Sequence, residues 1–145
     1  MAMPKAVVID SSALVALLNV TDADHPKTAN SYNELTKQRT ELILQTEVLA
    51  ETLNVLGKKV DRQAAANAGK AILLRQALGE IKLISSEIKT LALAVDLQLS
   101  GLGRPSFVDC LVMAQADISR TAYIFGFDTT FSKNGYQLPK WAKTP

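Results

Sequence analysis

Short apolar runs alternate with longer stretches of helical pattern along the whole chain, and this alternation restricts the fold more than any other feature of the sequence. Val7-Val8-Ile9, Leu42-Ile43-Leu44, Ile81-Lys82-Leu83-Ile84 and the segment from Ala122 to Phe127 are strand-length. Each is too short for a helix of ordinary length and is rich in β-branched, leucine or aromatic residues. Strands separated by helices join through right-handed βαβ crossovers, so the pattern predicts a parallel sheet covered on both faces, a three-layer α/β sandwich.

The boundaries follow from local chemistry. The first strand, over about residues 5–10, ends in Asp10-Ser11-Ser12, where Ser11 or Ser12 is placed to cap a helix continuing through Leu18. Pro26 suits the first turn of a helix over 25–38. The segment after Thr46 reads as a helix stopped by Gly57, and Asp61 then caps an alanine-rich helix reaching about Leu78. A helix from Ser86 to Leu99, a turn at Gly101-Leu102-Gly103-Arg104-Pro105 and a helix from Ser106 to Ser119 precede the fourth strand. A last extended piece at Tyr136-Gln137-Leu138 leads into a basic tail with Lys140, Trp141 and Lys143.

At 145 residues, with 48% hydrophobic and 21% charged residues, the expectation is one domain over 1–145 with a core that needs neither disulfides nor a structural metal. The single Cys110 excludes an internal disulfide and a cysteine-rich zinc site, and fits a reducing compartment. The N-terminus has no charged stretch leading into a long apolar run, so the expected location is the cytoplasm, without membrane attachment. With His25 alone, no histidine-based zinc site or facial triad can be assembled. There is no Gly-x-Ser-x-Gly elbow, dinucleotide fingerprint or phosphate-binding Walker loop.

What remains is acidic. Asp10, Glu51, Asp109 and Asp128 fall where strands stop or helices start, and ligands of a parallel sheet gather beyond the carboxyl ends of its strands. Acids brought to one sheet edge repel until a cation neutralises them. Each also has an ordinary structural job. Asp10 and Asp128 can cap the helices that follow, and Asp109, three residues after Ser106, completes a Ser-x-x-Asp capping box. Glu51 lies one turn after Glu47, and spacing does not choose between them. Asp117, near a helix end, is assigned to solvent. The net charge of +2 is too small to mark a nucleic-acid binder, but Lys58, Lys59, Arg62, Lys70, Arg75 and Lys82 cluster between Gly57 and Lys82. That stretch is either a solubilising surface or a guide for a phosphate polymer.

The segments Val7 to Leu18, Val48 to Leu56, Ser106 to Ala114 and Phe127 to Phe131 together resemble the PIN-domain family, especially its small VapC-like toxins. The resemblance implies a Mg²⁺- or Mn²⁺-dependent ribonuclease acting on RNA, frequent homodimers and inhibition by a small antitoxin protein. It assigns the acidic site to Asp10, Glu51 rather than Glu47, Asp109 and Asp128, with Ser11 or Ser12 as outer support. One departure stands out: where the family often has Thr or Ser two residues before the last acid, this chain has Gly126, leaving Thr129 or Thr130 as substitutes. Competing readings are a catalytically inactive PIN-like module that binds RNA or protein, and another metal-dependent phosphohydrolase. Leu73, Leu74, Leu78 and the Leu91-to-Leu102 segment are either core or a seam for a second copy or an antitoxin.

Overall fold

The computed structural model describes residues 4–139, so the tail with Lys140, Trp141 and Lys143 lies outside the described residues. Strands β1 (Ala6–Ile9), β2 (Glu41–Gln45), β3 (Ile81–Ile84) and β4 (Ile124–Phe125) form a parallel sheet in the order β3-β2-β1-β4. Val7 lies opposite Leu42, Leu42 opposite Ile81, and Ile9 opposite Phe125. Around the sheet run α1 (Ser11–Leu18), α2 (His25–Lys37), α3 (Thr46–Lys59), α4 (Arg62–Ala77), α5 (Ile88–Ser100), α6 (Phe107–Ile118) and α7 (Thr129–Lys133). The chain steps outward from β1 to β3 and then returns past β1 to β4. Right-handed crossovers therefore set α1 to α4 on one face and α5 with α6 on the other. The packing agrees: α1 lies against α2 and α3, α3 on α4, α5 on α6, and α6 over β1. This is the three-layer sandwich expected from the alternation.

The layers explain the sequence pattern. β1 and β2 are apolar without interruption because both faces are covered, and Val7, Val8, Ile9, Leu42, Ile43 and Leu44 are buried. In α6 every residue from Cys110 to Ala116 is buried, as a helix wedged between a sheet and another helix must be. Asp61 starts α4 as expected, accepting a hydrogen bond from the Ala64 amide at 2.8 Å. Pro26 occupies the first turn of α2.

Three boundaries differ from the sequence reading. Gly57 does not stop α3, which continues to Lys59 because packing against α4 outweighs the roughly 1 kcal/mol that glycine loses to alanine inside a helix. The α1 cap is Asp10, not Ser11 or Ser12, which are the first two helical residues. The fourth strand shrinks to Ile124–Phe125 because Thr121 Oγ1 takes the Tyr123 amide at one end and the chain turns at Gly126 at the other. The last extended piece does reach the sheet: Gln137 bridges Tyr123 in parallel and its carbonyl accepts the Ile124 amide at 3.0 Å. At the other edge, the Leu83 amide of β3 donates to Gln76 Oε1 of α4 at 2.6 Å.

The leucine-rich segments divide. Leu91, Leu93 and Leu97 of α5 pack on the core, whereas Leu73, Leu74, Leu78, Leu99 and Leu102 are exposed. Among the described residues no helix is long and apolar enough to cross a membrane.

The layering makes a direct prediction. Met113→Ala, at a fully buried position of α6, should lower stability by about 2–5 kcal/mol, whereas Val20→Ala, at a position 76% exposed, should stay within about 0.5 kcal/mol of the parent. Urea midpoints with unchanged slopes measure both.

Candidate active site

The reversal of strand order opens a crevice between the carboxyl ends of β1 and β4, the place where a parallel sheet admits ligands. Asp10 follows β1 into it, with its amide on the Phe125 carbonyl at 2.9 Å. Its side chain is 3% exposed. One carboxylate oxygen, Oδ2, accepts from the Ser12 amide at 3.1 Å and the Ser12 hydroxyl at 2.6 Å. The other, Oδ1, is buried with no hydrogen-bond partner. Burial, helped by the negative charges of Asp109 and Glu51, outweighs the two Ser12 donors and raises the Asp10 carboxyl to about 6.

Asp109 and Glu51 therefore lie close enough to act on Asp10. Glu51, on the second turn of α3, comes to the Asp10 side of the rim, where its Oε1 accepts from the Ser11 hydroxyl at 2.6 Å. Glu47, one turn earlier, turns away toward β3 and accepts from the hydroxyls of Ser86 at 3.0 Å and Thr46 at 3.2 Å. The two glutamates are therefore held by separate hydroxyl groups and are not a repelling pair awaiting a shared cation. Asp109 completes the expected capping box: its Oδ2 accepts from the Ser106 amide at 3.0 Å, while its own amide donates to Ser106 Oγ at 3.1 Å. The α6 N-terminus favours that negative charge.

Asp128 stands apart. It is exposed, caps the short α7 by accepting from the Thr130 amide at 2.9 Å, and is not among the charges acting on Asp10. Thr130 thus supports it through its backbone amide. A β-carbon at Gly126 would lie 2.9 Å from Asp10 Cβ and 3.3 Å from Ser12 Oγ. Ser12 Oγ occupies that region, donating to Asp10 and accepting the Phe127 amide at 3.0 Å. Gly126 is what lets the loop after β4 close over Asp10.

The basic stretch does not act as one surface. Arg75 lies 3.9 Å from Glu80 and over the Tyr32 ring, and Lys82 lies 3.9 Å from Glu41, so both serve the opposite, amino end of the sheet. Lys59 is different. It reaches a cavity of about 280 Å³ between α1, α3 and the loop after β4, walled also by Ser11, Ser12, Val55 and Phe127. Glu47, Glu51, Val55 and Lys59 are spaced four apart on α3, a helical stripe that lays the helix across the rim. His25 has the local role expected of it, with Nδ1 2.8 Å from the Ala16 carbonyl oxygen.

For a metal, the donors are all carboxylate and hydroxyl oxygens, which suit Mg²⁺ or Mn²⁺. Among the described residues no three His, Cys, Asp or Glu side chains are arranged to hold one ion together. Mg²⁺ nevertheless commonly takes one or two protein carboxylates and retains water in its other positions, and the orphaned Asp10 Oδ1 beside two further acids fits that mode.

The raised Asp10 carboxyl affects stability. Between about pH 4 and pH 6 the unfolded chain has Asp10 ionised while the folded chain keeps it protonated, so stability falls as pH rises through that window and stays reduced above it. Asp10→Asn keeps a capping oxygen and removes the charge. The variant should therefore melt at or above the parent temperature at pH 7.5, with the gap closing toward pH 4. Thermal melts across that range measure the difference, and parallel curves would exclude a buried ionisation at Asp10.

Comparison with known proteins supplies the family. No curated protein matches the chain in sequence. Among solved structures, the Mycobacterium tuberculosis toxin VapC20, described as cleaving the sarcin-ricin loop, is similar with a TM-score of 0.76 and 23% identity over 90% of this chain and 96% of that one. VapBC2 from Rickettsia felis, solved bound to a DNA fragment from its promoter, is similar with a TM-score of 0.67 and 16% identity over 92% of this chain and 97% of that one. Both likenesses are of fold. The PIN domain family profile matches residues 7–135, nearly the whole of the sandwich and every acid of the rim, and the chain belongs to the PIN domain family.

Proposed function

We propose that this chain is a Mg²⁺- or Mn²⁺-dependent endoribonuclease, the toxin of a toxin-antitoxin pair, working in the cytoplasm. The observation that carries the reading is the buried, half-satisfied Asp10 carboxylate in the field of Asp109 and Glu51 at the β1/β4 crevice. Capping α1 does not require that Asp10 be buried beside two other acids, and acids buried at such a cost cluster at functional sites. Membership of the PIN family and likeness in fold to a toxin described as cleaving the sarcin-ricin loop support RNA as the substrate.

Asp10 and Asp109 would hold the cation, with Glu51 beside them and Asp128 at the open side of the rim. When bound, the ion supplies positive charge against the scissile phosphate and acidifies water for attack on it. The chain's own residues fix this arrangement. Ser12 locks the Asp10 rotamer, Ser11 holds Glu51 toward Asp10, and the capping box orients Asp109. Uncompensated acids repel an RNA phosphate, and a bound cation would lower that repulsion at the rim. Exposed Leu73 and Leu74 on α4, Leu78 just after it, and Ile88, Val95 and Leu99 on α5 offer apolar faces for an antitoxin or a second copy of the chain.

A second reading has its own support. Asp128 is engaged in capping α7 and no three-ligand set is formed among the described residues, which favours a module that binds RNA without cutting it. Incubation with RNA separates the two. The nuclease reading expects cleavage in Mn²⁺ or Mg²⁺ that chelation abolishes, while intact RNA with salt-sensitive binding favours the module.

Asp10→Asn should lower cleavage by about a hundredfold or more while the protein stays folded, as expected for loss of a ligand-bearing charge. Full metal-dependent turnover in a clean preparation of the variant would overturn the assignment. Glu51→Gln should reduce turnover more than Glu47→Gln, since only Glu51 acts on Asp10. The opposite order would move the role to Glu47.

A further inference from the structure

We infer that the cavity between α1, α3 and the loop after β4 is a subsite for the nucleotide next to the scissile phosphodiester, with Lys59 as the anchor for its phosphate; this rests on the ribonuclease reading.

The cavity and the acids share a wall. Ser11 and Ser12 line the cavity while their hydroxyls hold Glu51 and Asp10, each at 2.6 Å, so one layer of side chains separates the two. A nucleotide in the cavity therefore carries its backbone past the carboxylates. The volume of about 280 Å³ lies just below the range of small-ligand pockets, about 300 to 1,000 Å³, and suits one nucleotide rather than a folded strand.

The lining is divided in the way a nucleotide is. Val15, Val55 and the Phe127 ring supply apolar surface for a sugar and a base, and aromatic rings are sequence-tolerant stacking partners for bases. Lys27 Nζ lies 5.1 Å from the centre of that ring and 3.1 Å from Asp24, which ties the ring and the acidic side of the cavity together. Asp22 and Asp24 are acceptors that repel phosphate but suit base amino groups. Phosphate is thereby directed to Lys59. Among the described residues no carboxylate pairs with Lys59, whereas Arg75 and Lys82 each lie near one. Because α3 crosses the rim, Lys59 lies two turns from Glu51 on the same stripe, placing the phosphate anchor and the acid at fixed separation on one rigid element.

Lys58 provides the control, since it carries the same charge in the same helical turn but does not line the cavity. Steady-state cleavage of a short single-stranded RNA should show KM raised about three- to tenfold by Lys59→Ala with kcat nearly unchanged, and little effect of Lys58→Ala. In an Asp10→Asn background, fluorescence anisotropy of the same RNA should give a plot of log Kd against log salt whose slope is smaller by about 0.7 for Lys59→Ala alone, the value for one phosphate contact on a single strand. Val55→Phe, which fills the cavity without altering charge, should also raise KM in protein whose thermal melt remains cooperative. Equal effects of the two lysines, a larger effect at Lys58, or no effect of Lys59→Ala and Val55→Phe in a chain that cleaves RNA would overturn the subsite and leave the nuclease reading intact. A parent chain that neither binds nor cuts RNA would remove both.

Discussion

The hydroxyl of Ser12 is the point on which the rim of this protein turns. It donates to Asp10, which ends β1, and accepts the Phe127 amide, which follows β4, so one oxygen ties together the two strand ends that flank the crevice. The charge it supports is one the fold would otherwise neutralise, because burial drives Asp10 toward its protonated form. Everything else at the site is arranged around that compromise. Ser11 turns Glu51 inward, the capping box presents Asp109, and the missing side chain at Gly126 lets β4 close against Asp10.

The capping roles and the proposed chemical roles of the acids do not exclude each other. A carboxylate has two oxygens, and a helix start needs only one of them. Asp10 illustrates the division most clearly, with Oδ2 fully engaged in starting α1 and Oδ1 left without a partner. Asp109 likewise spends Oδ2 on the Ser106 amide. The helix termini thus provide rigid mounts for the charges, and the positive ends of their dipoles offset part of the repulsion.

Much of the layering was legible in the sequence because it depends on local signals. Uninterrupted apolar strands, Asp61 and Ser106 as helix starters and Pro26 in a first turn each state their own structure. The choice between Glu47 and Glu51 was not legible from spacing, because it depends on where Ser11 and Ser86 fall in space, forty and thirty-nine residues from their partners. Nor could the sequence reveal why Gly126 lacks a hydroxyl, since the answer lies in the close approach of β4 to Asp10. The two readings of the basic stretch could not be separated from sequence for a similar reason: its six cations are carried on two helices and a strand, so Arg75 and Lys82 lie beside Glu80 and Glu41 while Lys59 lines the cavity. The four-residue stripe from Glu47 to Lys59 was a visible signal for the cavity, but its meaning needed the path of α3.

Both margins of the sheet are already occupied from within. Gln137 bridges Tyr123 alongside β4, and the side chain of Gln76 takes the outward amide of Leu83 on β3. Open strand margins are templates on which another chain can continue hydrogen bonding. Here that route is blunted at each side, so copies or partners that join this protein meet its helices, and continuation of the sheet from molecule to molecule is disfavoured.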